Sequence, residues 1–372
     1  MKYVDEFRDG RLARGVAETL HRLARPDRTY RLMEFCGGHT HAISRYGLED
    51  LLPSNMRMIH GPGCPVCVLP VGRIDMAIEL ARRPKVTLCT YADLMRVPAS
   101  GGASLMKAKA DGADIRMVYS TLDAIRIAEA EPDREVIFFA IGFETTTPPT
   151  ALAIKLAIKN RLTNFSVFCN HVLTPAAMRA ILGNRAEGVE IDGFVGPSHV
   201  SAVIGLQPYR FVAAQFGKPV VVAGFEPLDV LQAVVMLVRQ LNEGRGEIEN
   251  QYGRAVAAEG NLLAQAEMRE IFELRESFEW RGLGEVADSA LRLRDAYAAF
   301  DAERRFALAA HRAKDNPACE CGAILRGAKR PHDCRLFGTV CTPETPMGSC
   351  MVSSEGACAA QWTYRRFDER AA

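Results

Sequence analysis

Over roughly the first 230 residues the chain repeats one pattern. A short run rich in β-branched and aromatic residues ends in Gly, Pro, Thr or His, and a helical stretch usually follows. The spacing predicts strands over 30–35, 56–60, 86–91, 115–119, 135–141, 165–169, 193–195 and 219–223. It predicts helices over 41–52, 73–81, 121–128, 149–159, 175–182, 201–204 and 228–241. Strands that alternate with helices form parallel sheets covered on both faces. Eight such strands suit two sheets of about four better than one large sheet. The segments Gly142-Phe143-Glu144-Thr145 and Gly224-Phe225-Glu226-Pro227 echo each other, each after an apolar strand and before a helix, and hint at a repeated unit.

The pattern changes after Leu241. Residues 242–312 are rich in Glu, Arg, Ala and Leu, lack Pro, and read as helices. Beyond Asn316 the periodicity stops, and Gly, Pro and Cys dominate to residue 358, as expected of a loop-rich segment built around an inorganic centre. Lys and Arg (46) nearly cancel Asp and Glu (45), which excludes nucleic-acid binding driven by bulk charge. No apolar run approaches the ~18 residues of a membrane span. The opening MKYVDEFRDG has no apolar signal core, so a cytoplasmic location is expected, with neither membrane nor nucleic acid as partner.

Eleven cysteines, an odd count, then read as metal ligands or redox thiols rather than structural disulfides. In parallel sheets ligands bind beyond the carboxyl ends of the strands, and the unusual residues cluster there. Cys36, in Glu34-Phe35-Cys36-Gly37-Gly38-His39-Thr40-His41, falls between a strand and a helix, where the helix dipole favours thiolate. The structural alternative is a tight turn with an incidental thiol. Cys64 and Cys67, in His60-Gly61-Pro62-Gly63-Cys64-Pro65-Val66-Cys67, form a Cys-X-X-Cys pair able to hold a reversible disulfide or a soft metal. Glu144, in Gly142-Phe143-Glu144-Thr145-Thr146-Thr147, can orient a histidine or accept a proton, while the threonines cap a helix or bind an anion. His171 and His199 end two further strands. Cys319, Cys321, Cys334, Cys341, Cys350 and Cys358 are separated by 2, 13, 7, 9 and 8 positions, which matches neither ferredoxin nor zinc-finger spacing. Four of them suffice for a [4Fe–4S] cluster, and zinc is the main competitor.

Together these segments resemble the HypD family of [NiFe]-hydrogenase maturation proteins along nearly the whole chain. The resemblance rests on CGGHTH at 36–41, GPGCPVC at 61–67, GFETTTPP at 142–149 and GPSHVS at 196–201. It continues through WRGLG at 280–284, CGAILRG at 321–327, CRLFG at 334–338 and CTPETPMGSCMVSSEGACAA at 341–360. It implies an α/β fold of two Rossmann-like parallel-sheet domains, over 1–120 and 121–241. A smaller helical and loop-rich domain over 242–372 would carry a [4Fe–4S] cluster.

The resemblance also implies a scaffold that acts with the HypC chaperone. On it an Fe(II) ion acquires two cyanides, which arrive from HypE with HypF upstream, and one carbon monoxide. Its functional thiols map onto Cys36, Cys64 and Cys67, with Cys36 the direct iron ligand and His39 and His41 tuning that thiolate or bonding a cyanide. The cluster ligands are expected to be Cys321, Cys334, Cys341 and Cys358, with Cys350 and Cys319 as alternates. Electrons would pass from the cluster through Cys64/Cys67 to the iron, which requires the C-terminal segment to fold back onto the Cys-X-X-Cys loop. The alternative is an iron–sulfur-dependent thiol–disulfide oxidoreductase acting on protein substrates. A third class is a zinc-stabilised binding module.

Overall fold

The computed structural model describes residues 5–183 and 189–366. Its strands are β1 (Tyr30–Glu34), β2 (Met56–His60), β3 (Val86–Thr90), β4 (Asp114–Met117), β5 (Glu135–Gly142), β6 (Phe165–His171), β7 (Gly193–Pro197), β8 (Val220–Ala223) and β9 (Ile248–Asn250). Two hairpin-forming pairs follow, β10 (Phe272–Leu274) with β13 (Leu291–Leu293), and β11 (Ser277–Trp280) with β12 (Gly284–Ala287). Val86–Thr90, Phe165–His171 and Val220–Ala223 are buried at every residue. Strands covered by helices on both faces read as continuous apolar runs for this reason.

Two parallel sheets result, as the alternation predicts. One has five strands in the order β2-β1-β7-β8-β9 and the other four in the order β4-β3-β5-β6. Each starts at an inner strand, adds the second on one side and the rest on the other. The repeat hinted at by sequence is therefore a repeat of winding. The two Gly-Phe-Glu segments are not equivalent within it, since one follows the third strand of its sheet and the other the fourth.

Strand pairing does not divide the chain at residue 120. β1 and β2 pair with β7 to β9, and the whole second sheet, β3 to β6, lies between them in sequence. Each sheet reverses strand order beside its first strand, at β1/β7 and at β3/β5, and such switch points open a crevice at the carboxyl ends. Register sharpens this, because Glu34 aligns with both His60 and Val195, so β1 and β2 end at one level while β7 runs two residues further, to Pro197.

Three segments differ from expectation. Residues 242–312 are not mainly helical; they contain one helix of ten residues, Leu262–Ile271, beside the two hairpins. Phe278, Trp280 and Val286 point inward from strands of four residues, too short for alternation to stand out against the Glu/Arg/Ala/Leu background. The helix expected over 41–52 starts at Gly37 and ends at Arg45, where Gly47 at φ 60° breaks it. A helix at Gly10–Leu23, capped by Asp9, packs Ala13, Ala17 and Leu20 inward and has no counterpart in the predicted elements. Among the described residues no helix is long and apolar enough to cross a membrane.

Candidate functional site

Cys36 follows β1 at the switch point of the five-stranded sheet and caps the helix Gly37–Arg45. Its backbone N–H donates to Glu34 Oε2 at 2.9 Å. Glu34 is fully buried, and its other oxygen accepts from the Thr40 hydroxyl and pairs with His60 Nδ1 at 3.0 Å. Burial is the largest single influence on His60 and would discharge it, but the hydrogen bond and charge of Glu34, with the charge of Glu49, together outweigh it and push the imidazole up. The Cys36 turn is thus bolted to β1, β2 and the helix by one carboxylate.

The helix dipole does not decide the state of Cys36. Burial pushes its thiol up, and Glu355 and Glu34 push it further, against the Gly38 and His39 amides that bond the sulfur. Cys36 is therefore a protonated thiol in this state, not the thiolate expected from helix position alone.

His39 is fully buried. Its Nε2 lies 3.1 Å from Ala223 O and 3.0 Å from Gly224 O, two acceptors, so Nε2 carries the proton. Burial pushes the ring down and keeps it neutral. Its Nδ1 is a buried acceptor without a partner. Ser198, which follows β7 beside β1, likewise buries a hydroxyl without a partner. Phe225 packs between His39 and His199, with ring centroids 4.9 and 4.3 Å away. His41 lies further along the helix and bonds the Tyr364 hydroxyl at 2.9 Å.

The second turn meets the first. Gly37 N–H donates to Gly63 O at 3.0 Å, and a Cβ at Gly63 would lie 2.5 Å from Cys36 Cα. Only glycine allows that approach. Cys64 and Cys67 follow directly, both buried and joined as a disulfide. Their sulfurs are bonded to each other, so in this state Cys36 alone of the three offers a thiol.

The C-terminal segment folds back onto this pair, the placement that the expected electron path would need. Ser349 Oγ donates to Cys67 O at 2.9 Å, and Cys350 is the next residue. Cys350 bonds Cys321 and Cys358, which pulls its thiol down, while Cys358 is pushed up first by its bond with Cys321 and then by that with Cys350. Cys319 bonds Cys321. Cys341 lies within electrostatic reach of Cys319 and Cys321. Gly348 packs so close to the Cys319 and Cys321 sulfurs that a Cβ there would strike both. Cys334 is buried on the same segment, and its carbonyl accepts from Phe337 N–H. Among the described residues no three His, Cys, Asp or Glu side chains are grouped to hold one metal ion.

The donor set is all sulfur, and the Nη2 of Arg281, buried beside it, lacks a hydrogen-bond partner. Soft thiolates under a spare cationic N–H donor fit an iron–sulfur cluster, whose sulfurs accept such bonds.

Glu144 lies two residues beyond β5, at the switch point of the other sheet. Burial pushes its carboxyl up to about 7, and both oxygens accept from Thr174, at 3.0 Å each. It orients no histidine in this state. It lines a cleft of about 680 Å³ with Arg179, Gln265 and Met268. Thr146 and Thr147 bond carbonyls of their own turn, so they serve the junction. His171 bonds Thr150 at 2.9 Å, and burial pushes its ring down to about 4, which makes it a structural residue. Cys89 and Cys169 are buried in the sheet core, as their apolar surroundings suggest.

Sequence reasoning gave no role to Glu34, His60, Ser349 or Arg281. Only the alignment of β1 with β2, and the return of the tail, reveal them.

A family model described as "HypD: Hydrogenase formation hypA family" matches residues 11–365. The hydrogenase maturation factor HypD of Rhizobium leguminosarum bv. viciae is 72% identical over 374 residues, which span 100% of this chain and 97% of the relative. The protein of that name from Azotobacter vinelandii is 66% identical over 98% of this chain and 97% of its own. The one from Escherichia coli (strain K12) is 48% identical over 100% of both.

Proposed function

Because the chain belongs to the HypD family and so serves hydrogenase maturation, we propose that it is the scaffold on which the Fe(CN)2CO fragment of a [NiFe] hydrogenase is built. It would act with a HypC-type chaperone and receive cyanide from HypE, with HypF upstream. The observation that carries this reading is the meeting of three sulfur-bearing segments at one strand-end crevice. The Cys36 turn touches the Cys64–Cys67 turn through Gly37 and Gly63, and that turn touches the thiol-rich tail through Ser349.

Iron arrives as cargo, and Cys36 is its ligand. A half-buried protonated thiol suits this, because the incoming Fe(II) displaces the proton and Cys36 carries no bare charge beforehand. Cyanide and carbon monoxide keep Fe(II) low-spin, which thiolate binds well. The amides of Gly38 and His39 face the sulfur at the helix start, so an anionic diatomic ligand on the iron finds N–H groups there. His39, with its proton fixed on Nε2, holds the helix start against β8 and offers Nδ1 only as an acceptor.

The C-terminal thiols would hold a [4Fe–4S] cluster; Cys321 and Cys358 belong both to the set expected from the resemblance and to the group in sulfur contact. When bound, such a cluster supplies single electrons. Cys64 and Cys67 store two electrons as a dithiol.

The oxidoreductase alternative is disfavoured by burial. Cys64 and Cys67 are 3% and 0% exposed, whereas exchange with a protein substrate needs a thiolate to reach one of those sulfurs. Cys36→Ala tests the choice. Infrared spectra of the anaerobic complex should lose the cyanide and carbonyl bands while cluster iron and the Cys64–Cys67 pair remain. Bands that persist in the variant would contradict Cys36 as ligand.

A further inference from the structure

The Trp280-Arg281-Gly282-Leu283-Gly284 turn plays no part in the function described so far. Yet Arg281 stands between its two redox elements. Its backbone N–H donates to Val68 O at 2.7 Å and its Nε to Leu69 O at 3.0 Å, the two residues after Cys67. On the other side Gly282, at φ 85°, packs against Gly322, so closely that a Cβ there would lie 2.9 Å from Gly322 Cα. Gly322 follows Cys321. Arg281 is 4% exposed, and Asp315 meets Nη1 at 3.2 Å. Nη2 has no hydrogen-bond partner among the described residues. A buried guanidinium N–H without an acceptor is costly, and the soft acceptors beside this one are the thiols, since Cys319 and Cys350 both feel its charge.

We propose that Arg281 is a positioning residue that sets the reduction potential of the iron–sulfur group held by the C-terminal cysteines, through its charge and its spare Nη2–H, while fixing that group against the Cys64–Cys67 turn. The proposal rests on the preceding reading that these thiols hold a cluster. A fixed positive charge stabilises the more negative, reduced member of the couple and so raises its potential. Asp315 offsets part of that charge from the half-exposed end.

Full-length protein reconstituted without oxygen is first analysed for iron and sulfide. Wild-type protein that takes up none refutes the cluster reading itself, before Arg281 is examined. With the cluster present, its one-electron potential is titrated by electron paramagnetic resonance. Arg281→Gln should load normally and reduce with an equilibrium constant at least tenfold lower, a fall of 59 mV or more. Arg281→Lys, which keeps the charge, should stay nearer to wild type. Asp315→Asn should shift the potential upward, and it decides the matter if Arg281→Gln does not fold, because its side chain is half-exposed and the change keeps its shape. A loaded Arg281→Gln with an unchanged potential, or an Asp315→Asn shift that is absent or downward, overturns the proposal.

Discussion

Gly63→Ala puts one methyl group into the seam between the Cys36 and Cys64–Cys67 turns. The new Cβ would lie 2.5 Å from Cys36 Cα and 2.8 Å from its carbonyl carbon. Carbon atoms rest ~3.5–4.0 Å apart, so the two backbones must part by about 1 Å. Neither can yield by rotating a side chain. Cys36 is held by Glu34 at 2.9 Å, and Gly63 by the Gly37 amide at 3.0 Å. Overpacking of this kind costs about 1–3 kcal/mol. Loss of the Gly37–Gly63 hydrogen bond adds about 1 kcal/mol, and the stiffer unfolded chain returns about 0.4–1 kcal/mol. The net loss is about 1–4 kcal/mol, read as a lower urea midpoint together with faster alkylation of Cys36. Gly15→Ala is the control, because nothing lies within 4 Å of its Cβ. It sits inside the helix Gly10–Leu23 and should stabilise by about 0.5–1 kcal/mol. A Gly63→Ala protein with wild-type midpoint and wild-type Cys36 reactivity would refute the contact between the two turns.

Other substitutions probe the same crevice. Glu34→Gln removes the carboxylate that raises His60, at a cost of about 1.5–3 kcal/mol. The His60 contribution is fully present below its ordinary value of 6.5 and lost as pH rises through the raised folded value, so the variant's unfolding midpoint should vary less with pH over that range. Glu144 holds a proton in the folded state that the unfolded chain releases, so stability should fall between its ordinary 4.5 and about 7, then level. The fall amounts to about 3 kcal/mol, and Glu144→Gln should abolish it in unfolding measured across that range. Glu355→Gln removes a charge that holds the Cys36 thiol up, so Cys36 should alkylate faster at a given pH, with no change expected at Cys89. Equal rates at Cys36 in variant and wild type would show that Glu355 does not govern it.

The strand-end loops are legible in the sequence because each buried strand is a short, mostly apolar or β-branched run that gives way to polar, Gly or Pro residues. Val86–Thr90 and Phe165–His171 show this plainly. Which strands share a sheet is not legible. Pairing of β1 with β7 joins residues about 160 positions apart, and no local signal encodes it. The hairpins around Trp280 escape notice because their strands have only three or four residues, while the composition around them favours helix. At the site, Cys36, Cys64 and Cys67 are legible as unusual residues in unusual loops. The protonation of Cys36 is not, because it depends on Glu355, 319 positions away in the sequence and packed against Gly37. Glu34 reads as an ordinary strand residue until the register places His60 opposite it. Arg281 reads as part of a turn until its Nη2 is found buried and unpaired.

The central claim is that sulfurs from three distant segments converge to hold and serve one iron carrying diatomic ligands. Infrared spectroscopy of the intact chain, purified without oxygen together with the proposed HypC-type chaperone and paired with iron analysis, tests it most directly. The account predicts cyanide and carbonyl stretching bands and more iron than a cluster alone would hold. A complex free of iron, or one whose iron shows no such bands, would contradict it.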